Sequence, residues 1–537
     1  MRTEHTQVVV VGGGPNGIAA AHHMGLYGLD CQVLEVATEV LPYPRAVGMD
    51  DEALRVLQTV GVADEAHQDM IAHVPLRYFN ARGQCFAEVN PTAMDYGWPM
   101  RNLFMQQLLE ATLRKQLQRR PSVKLRLGHE MLSLSQDADG VLLQVRAPDG
   151  EVYQLRALYV IGADGGRSGV RKQLGIELQG LTHPRKWVVV DAANDRLDAP
   201  YTALHADPSR PFVCIQLPYG QRRWEFMLFE HESEEQMCEE ANIRELIRHH
   251  IGEAEKSLEI IRIRAYTHNS RVAERFVEGR VALIGDAAHI TPPWAGQGLN
   301  SGLRDVANLC WKVAAAAKGR AGPAILQTYD LERRGHATDL ITLADNMGTV
   351  LGMTDPLLAG VRDWVFRAVD TVDSLRQHLL EFKFKPKAQI TRGLVHRDHP
   401  DVREDDLVGQ LFIQPQVEDA EGRRLRLDEV LGPWFALLGH RVNPLEHLSA
   451  DTRRRWQALQ TRFIQVNRSR SGYGRGQPLR VEGLTCIEDV DNRLEPWFRQ
   501  ARESIVLVRP DRFVAAVVSP SRLEEVMSQL ISRISGG

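Results

Sequence analysis

Residues 8–11 are four valines in a row, and the chain changes character directly after them. Gly12-Gly13-Gly14-Pro15-Asn16-Gly17 is followed by an alanine-rich segment and then by a second apolar run that ends in Glu35. A β-branched run, a glycine break and a small-residue segment predict a strand, a tight turn, a helix and a second strand. The same switch occurs twice more. Tyr159-Val160-Ile161 runs into Gly162-Ala163-Asp164-Gly165-Gly166-Arg167-Ser168-Gly169-Val170-Arg171, and 280–284 runs into Gly285-Asp286-Ala287-Ala288-His289. Uninterrupted apolar runs suit strands buried on both faces of a parallel sheet.

Elsewhere the apolar positions alternate. Residues 76–89 alternate around Asn80-Ala81-Arg82-Gly83 and predict a hairpin, and 212–217 and 223–229 flank the turn Pro218-Tyr219-Gly220-Gln221. With a strand at 187–191 these make an antiparallel sheet distinct from the parallel one, a wall suited to a second ligand. Residues 105–119 read as an amphipathic helix, and 123–127, 141–147 and 152–155 as short strands, the last two joined at Asp149-Gly150. A helical region broken at Pro356 extends to about 384, and Asp398-His399-Pro400 with the charges at 401–406 marks a boundary. Beyond it, 434–438, 505–508 and 513–518 read as strands, and Leu523, Val526, Met527, Leu530 and Ile531 stripe one face of a terminal helix.

Composition narrows the class of function. The 537 residues are 43% hydrophobic and 25% charged with a net charge of −4, enough chain for two to four globular domains and no general attraction for nucleic acid or anionic membrane. The six cysteines show neither CxxC nor metal-ligand spacing, which predicts unpaired thiols in a reducing cytoplasm, most of them small core residues, and no metal site. No leader pattern follows Met1 and no apolar run approaches about 18 residues. The arginine-dense stretch 453–475, with Gly472, Gly474 and Gly476, reads as a solvated helix and loop.

Candidate chemistry gathers at the ends of the buried strands. Gly12 lets the first turn close, Gly14 lets the backbone approach a pyrophosphate, Gly17 lets the helix pack on the strand, and free N–H groups at the helix start face the anion. Glu35, eighteen residues past Gly17, is placed to accept hydrogen bonds from ribose hydroxyls. Arg45 stands in a proline-stiffened loop close by, and Asp164 can cap the helix that follows its strand. Asp286 ends a third strand and faces the glycine-rich helix start Gly296-Gln297-Gly298-Leu299-Asn300-Ser301-Gly302, a small-molecule geometry. His289 invites a catalytic role, although a histidine just past a strand end is more often a hydrogen-bonded packing residue.

Taken together, GGGPNG with Glu35, Pro44-Arg45-Ala46, GADGGRSGVR from Gly162 and GDAAHITPPWAGQGLNSG from Gly285 resemble the flavin-dependent aromatic hydroxylases, single-component FAD monooxygenases that hydroxylate phenols. Residues 44–54, Tyr266-Thr267-His268-Asn269 and 409–415 resemble more narrowly the members acting on phenylpropionates. The resemblance implies an α/β chain with a Rossmann-like FAD-binding domain (1–75, 98–180 and 277–345) and an inserted antiparallel-sheet substrate domain (76–97 and 181–276). A helical linker region (346–400) and a thioredoxin-like C-terminal domain without CxxC (401–537) complete it. It further implies that Gly12, Gly13, Gly14, Pro15, Asn16, Gly17 and Glu35 hold the adenosine and pyrophosphate, Arg45 and Gln106 the flavin's middle and ring region, and Gly285 and Asp286 pyrophosphate or ribityl oxygens. Gly296, Gly298, Leu299 and Asn300 are then turned toward the ring, and Asp164 serves both FAD and NAD(P)H.

The reaction so implied is reduction of FAD by NADH or NADPH, activation of O2 on the reduced flavin, and oxygen transfer ortho to a phenol hydroxyl. Arg45, Pro293 and His289 are the expected catalytic positions, the partners are a small phenol and O2, and a homodimer is compatible. A hydroxylase of another phenol or of a polyketide aromatic, a non-oxygenating flavoprotein of the same fold, and a non-catalytic binding protein remain alternatives. The Trp-x-Trp-x-Ile-Pro pattern of halogenases does not occur. A carboxylated phenol entering a dry site requires a paired cation. Strand alternation puts Arg223 and Glu225 on one face and Trp224 and Phe226 on the other, so an arginine at a strand end, Arg210 or Arg185, is the expected partner, with Tyr219 and Trp224 near the ring.

Overall fold

In the computed structural model, which describes residues 2–43, 45–370, 372–398, 406–468 and 481–536, the valine run completes a strand, Thr3–Val11. The helix Pro15–Leu26 follows, with proline at its first turn where the missing N–H costs nothing, and then the strand Cys31–Glu35. Thr3–Val11 pairs in parallel with Cys31–Glu35 on one side and with Val152–Gly162 on the other. The parallel core is extended by Val123–Leu127 next to Cys31–Glu35 and by Val281–Leu283 next to Val152–Gly162. Helices Pro15–Leu26 and Gly298–Ala317 pack on one another, and their alanine and glycine positions permit that close approach.

Residues 152–155 and 159–161, separate strands by sequence, are one eleven-residue strand. Its first half pairs with Val141–Arg146, which in turn pairs with Glu130–Gln136, a strand that the half-exposed pattern of its side chains concealed. On one side the eleven-residue strand pairs in parallel with Thr3–Val11 from Gln154 to Gly162, while on the other its antiparallel neighbour gives way to the parallel strand Val281–Leu283, so one strand serves two environments and changes its burial pattern midway.

The second sheet has eight strands, and the 76–89 hairpin joins it at one edge as Leu76–Phe79 and Cys85–Val89. Moving inward the order is Thr202–His205, Phe212–Leu217, Gln221–Met227, Leu178–Ala193 and Glu259–Ala273, with His289–Ile290 at the far edge. The strand expected at 223–229 runs instead from Gln221 to Met227 because the turn closes one residue earlier, at Gly220 with φ +66°. One face of this sheet packs Val188, Val190, Phe212, Trp224 and Phe226 into a separate core. The other face looks toward the parallel domain.

The helical region divides into Gln327–Leu351, Pro356–Asp370 and Asp373–Leu380, and the first of these runs unbroken across position 345. In the C-terminal unit Ala436–His440 pairs in parallel with Arg462–Arg468, while Ile505–Val508 and Val514–Val518 form the antiparallel half. That is the strand order of a thioredoxin-like unit, with the expected terminal helix, Leu523–Ser535, packed on it. Arginines 453–468 lie on the helix Ala450–Ala458 and the strand Arg462–Arg468, whereas residues 399–405 of the expected boundary and 469–480 of the arginine-dense stretch lie outside the described residues. Of the cysteines, Cys31, Cys214 and Cys310 are buried, Cys238 and Cys486 are half-buried, and Cys85 is exposed, so fewer are core residues than the sequence suggests.

A buried charge cluster ties this unit to the rest. Arg509 donates from both terminal nitrogens to Glu332, at 2.8 and 2.7 Å, and Lys312 reaches the same carboxylate at 2.6 Å. None of the three side chains is solvent-exposed. Glu332→Gln leaves Lys312 without its carboxylate partner and Arg509 with Asp511 alone in the interior, and is expected to cost about 3–5 kcal/mol. Urea unfolding followed by tryptophan fluorescence reads this as a lowered midpoint.

Candidate active site

The two sheets enclose a cavity of about 450 Å3, in the usual range for a small-molecule or cofactor site. Its walls come from chain segments far apart in sequence. Gly14, Pro15 and Asn16 contribute from the first turn, Arg45 to Asp50 from the following loop, Gln106 from a helix start, Ala163 and Gly165 from the second strand end, and Asp286 from the third.

At the first turn the three glycines have separate reasons. A Cβ on Gly12, which holds φ +106°, meets the Ala163 carbonyl oxygen at 2.4 Å, and one on Gly17 meets the Gly12 carbonyl oxygen at 1.9 Å. A Cβ on Gly14 meets nothing within 4 Å and stands in the cavity. Gly14 is the N-cap of Pro15–Leu26 and offers no side-chain cap, so the first N–H groups of that helix face open space. Glu35 accepts hydrogen bonds from the backbone N–H of Gly13 at 2.5 Å and of Ala37 at 2.7 Å, which fixes the carboxylate against the turn. Asn16 Oδ1 is buried without a partner among the described residues.

Gln106 accepts from the backbone N–H of Ala46 at 2.8 Å and donates to Glu110 at 2.8 Å, so it positions the loop carrying Arg45. Arg45 itself is 59% exposed and lies 3.7 Å from Asp286. Pro293 to Asn300 complete this side, where Gln297 supplies no side-chain cap to the helix Gly298–Ala317. Asn300 is held by Gly48 and Gly296 carbonyls, at 3.2 and 2.7 Å. Two uncapped helix starts that donate, a glycine without a Cβ, and an orphaned amide oxygen and a ribose-spaced carboxylate that accept are a set that fits FAD.

Asp164 and His289 have other duties. The Asp164 carboxylate accepts from the N–H groups of Gly169 and Val170, at 2.7 and 3.1 Å, and Ser168 shares in capping that helix. Only its neighbours Ala163 and Gly165 line the cavity. His289 is buried away from it, with Nε2 2.7 Å from Asp305, which also takes Arg333 at 2.9 Å. The expected catalytic role of His289 is therefore not supported, and the packing alternative describes its setting.

The opposite wall is the antiparallel sheet, and here the expected partners are elsewhere. Arg185 donates to the Gly352 carbonyl at 2.6 Å, Arg210 is paired with Glu232 against the Phe229 ring, and Tyr219 is exposed with its hydroxyl on Asp69. Trp224 lies on the far face, in the separate core. None of the four lines the cavity. The face that does is the one carrying Arg223 and Glu225, in a cross-strand row of Val189, Glu225, Val213 and Leu204 beside a row of Arg223, Ile215, Thr202 and Leu76.

Arg223 is bound to Asp191 at 2.8 Å and donates to the Arg45 carbonyl at 2.9 Å, which joins the sheet to the Arg45 loop. Glu225 is buried, and Arg223 approaches no nearer than 4.0 Å. Burial pushes its carboxyl above the usual range, Arg223 drawing it back in part and Asp191 adding to the rise. His268 and Trp294 form an aromatic corner, with ring centres 4.9 Å apart. Burial, aided by His183, pushes the His268 pKa down to about 4, so that imidazole is neutral at neutral pH.

Lys385 and Asp50 close one rim. Lys385 pairs with Asp50 at 2.9 Å and Glu52 at 3.1 Å, and Arg304 binds the same two acids. The carboxyl cluster Asp50, Asp51 and Glu52 is thus answered by cations of the chain itself. Arg101 also lines the cavity, donating from Nε to the Val74 carbonyl at 3.0 Å. The sequence offered no signal for it: it stands in an irregular stretch before the two-residue strand Asn102–Leu103.

Comparison with known proteins agrees with this geometry. Residues 5–344 match the family model described as FAD binding domain, and 409–533 match the HcaD C-terminal domain. A 3-(3-hydroxy-phenyl)propionate/3-hydroxycinnamic acid hydroxylase of Burkholderia vietnamiensis is 51% identical over 512 residues, 95% of this chain and 93% of the relative. One from a Mycobacterium species is 40% identical over 98% of this chain and 91% of the relative. Among solved structures, a ternary complex of aklavinone-11 hydroxylase with FAD and aklavinone superimposes with a TM-score of 0.76 at 25% identity, covering 99% of this chain and 100% of that one.

Proposed function

Because this chain belongs to the FAD-dependent aromatic hydroxylases, we propose that it hydroxylates 3-(3-hydroxyphenyl)propionate and 3-hydroxycinnamate ortho to the phenol hydroxyl, with NADH as the preferred reductant. What supports the reading most is a cavity in which a dinucleotide cradle faces a largely apolar sheet wall that carries the buried carboxyl of Glu225.

FAD, when bound, supplies acceptance of hydride from the nicotinamide and the activation of O2. The chain's own contribution is binding, orientation, exclusion of water and the phenol proton. Gly12 to Gly17 and Glu35 hold the adenosine diphosphate half, while Arg45, Gln106 and Asp286 fix the middle of the cofactor. Backbone N–H groups at 298–300, at a helix N-terminus, favour negative charge where they point. Val213, Ile215, Leu204 and Trp294 give the aromatic ring a dry berth beside Pro293, which keeps water from the reacting oxygen. Glu225 accepts the phenol proton at a carboxylate oxygen and so raises the electron density of the ring carbon ortho to it. A carboxylate with a raised pKa is suited to that task, whereas His268, pushed down to about 4, is the weaker base and serves as wall.

The experiment is a visible spectrum of the purified protein followed by NADH oxidation with and without the two acids. A flavin spectrum and oxidation stimulated by the acids are expected, with a larger kcat/KM for NADH than for NADPH. A colourless protein, or oxidation indifferent to every phenol, contradicts the reading.

A further inference from the structure

We propose that Arg101 is the carboxylate-binding residue of the substrate pocket and sets which way the substrate enters it. The inference rests on the reading of a carboxylated phenol given above and names the residue that recognises the acid.

Four cations line the cavity, and three already have acids: Arg45 has Asp286, Arg223 has Asp191, and Lys385 has Asp50 and Glu52. Among the described residues Arg101 forms no ion pair with a carboxylate, and the one hydrogen bond its guanidinium makes goes from Nε to the Val74 carbonyl. A guanidinium has five N–H donors in a planar fork, so the four on its terminal nitrogens remain for a ligand, in the bidentate geometry a carboxylate matches. A half-buried cation without a counter-charge is costly, and burial accordingly pushes the Arg101 pKa down to about 10, Tyr78 opposing slightly. An anionic ligand removes that cost.

The sheet order fixes the direction. Arg101 is bonded to Val74, two residues before Leu76 at the start of the Leu76–Phe79 strand, and Glu225 lies on Gln221–Met227. Two strands, Thr202–His205 and Phe212–Leu217, separate them. Glu225 is in register with Tyr78 across those strands, four residues beyond Val74, so three strand spacings of about 4.8 Å and four rises of about 3.3 Å put roughly 19 Å between the Val74 and Glu225 backbones, which the long Arg101 and Glu225 side chains then shorten. The floor between is apolar, with Leu204, Val213 and Ile215. A ring lying there presents its hydroxyl to Glu225 and its carboxylate to Arg101, whereas the reverse placement sets two anions against each other and leaves the cation unpaired.

The test uses the FAD-loaded protein, comparing wild type, Arg101→Met and Arg101→Lys on 3-(3-hydroxyphenyl)propionate and on the uncharged 3-propylphenol. Arg101→Met is expected to raise KM for the acid by about 30-fold or more, the loss typical when one partner of a buried charge pair is removed. KM for 3-propylphenol should stay the same or fall, with FAD content and melting temperature unchanged. Arg101→Lys should restore part of the loss, supplying the charge without the fork. An equal KM change for both phenols, or none for either, overturns the assignment. A wild type with equal kcat/KM for the two phenols removes the carboxylate reading and the subsite with it. Should neither phenol be turned over, the hydroxylase reading fails, while dissociation constants for the acid, read from perturbation of the flavin absorbance, still confirm or reject Arg101.

Discussion

Gly14→Val gives a folded protein that no longer retains FAD. Gly14 has extended backbone, φ −73° and ψ −178°, that any residue adopts, and its added Cβ meets nothing in the chain. The valine side chain therefore costs the fold little and instead occupies the space where a pyrophosphate approaches the helix start. Gly12→Ala and Gly17→Ala behave differently, because their new Cβ atoms collide with backbone oxygens at 2.4 and 1.9 Å. Those two should lower expression and thermal stability even in the FAD-free state. The check is the ratio of flavin to protein absorbance together with thermal melts of each apoprotein. Apo Gly14→Val should melt close to apo wild type and differ from the holoenzyme only by the stabilisation that bound FAD supplies. Full FAD content in Gly14→Val would show that this turn is structural only.

Glu225→Gln should lower the hydroxylation kcat by roughly 10²- to 10⁴-fold, the usual worth of a positioned general base, with FAD binding intact. The pH dependence follows from the direction of its shift. Burial raises the folded-state pKa, so the catalytic ionised form is lost as pH falls through a value above the ordinary carboxylate range. The acid limb of kcat in the wild type should lie there and vanish in the glutamine variant. Stability moves the other way. A raised folded pKa means that ionisation costs stability, none of it present below the unfolded pKa and all of it above the folded one. Glu225→Gln is therefore expected to melt at neutral pH no lower than wild type. A rate loss accompanied by a matching loss of stability would assign Glu225 to packing.

The parallel core and its cradle were legible because their signals are local. A valine run, a glycine turn and an alanine-rich helix occupy 8–26, and the strand that follows ends on Glu35. The antiparallel sheet was legible in part, through the alternation at 76–89, 187–191, 212–217 and 223–229 that puts Arg223 and Glu225 on one face, whereas the strands Thr202–His205 and Glu259–Ala273 were not expected. What alternation does not carry is which face meets the cavity. That depends on the packing of Trp224 and Phe226 against Ile243 and Ile247 from a helix elsewhere in the chain. An aromatic wall was sought on the face that became core, and the charged face was set aside. A strand-interior arginine is tolerable there because Asp191, 32 residues away in sequence, neutralises it. Arg101 escaped notice because its stretch has no periodicity, and its importance comes from the acids it lacks. His289 misled through its place beside Asp286, since its partner Asp305 lies on the next helix.

The central claim, oxygen insertion into a phenol, is tested most directly by turnover of 3-(3-hydroxyphenyl)propionate with NADH under 18O2, with the product read by mass spectrometry. The 2,3-dihydroxy product carrying one 18O atom per molecule is predicted, with NADH consumed in equal amount. Consumption of NADH and 18O2 that yields labelled hydrogen peroxide and unchanged phenol would contradict it and leave a flavin oxidase in its place.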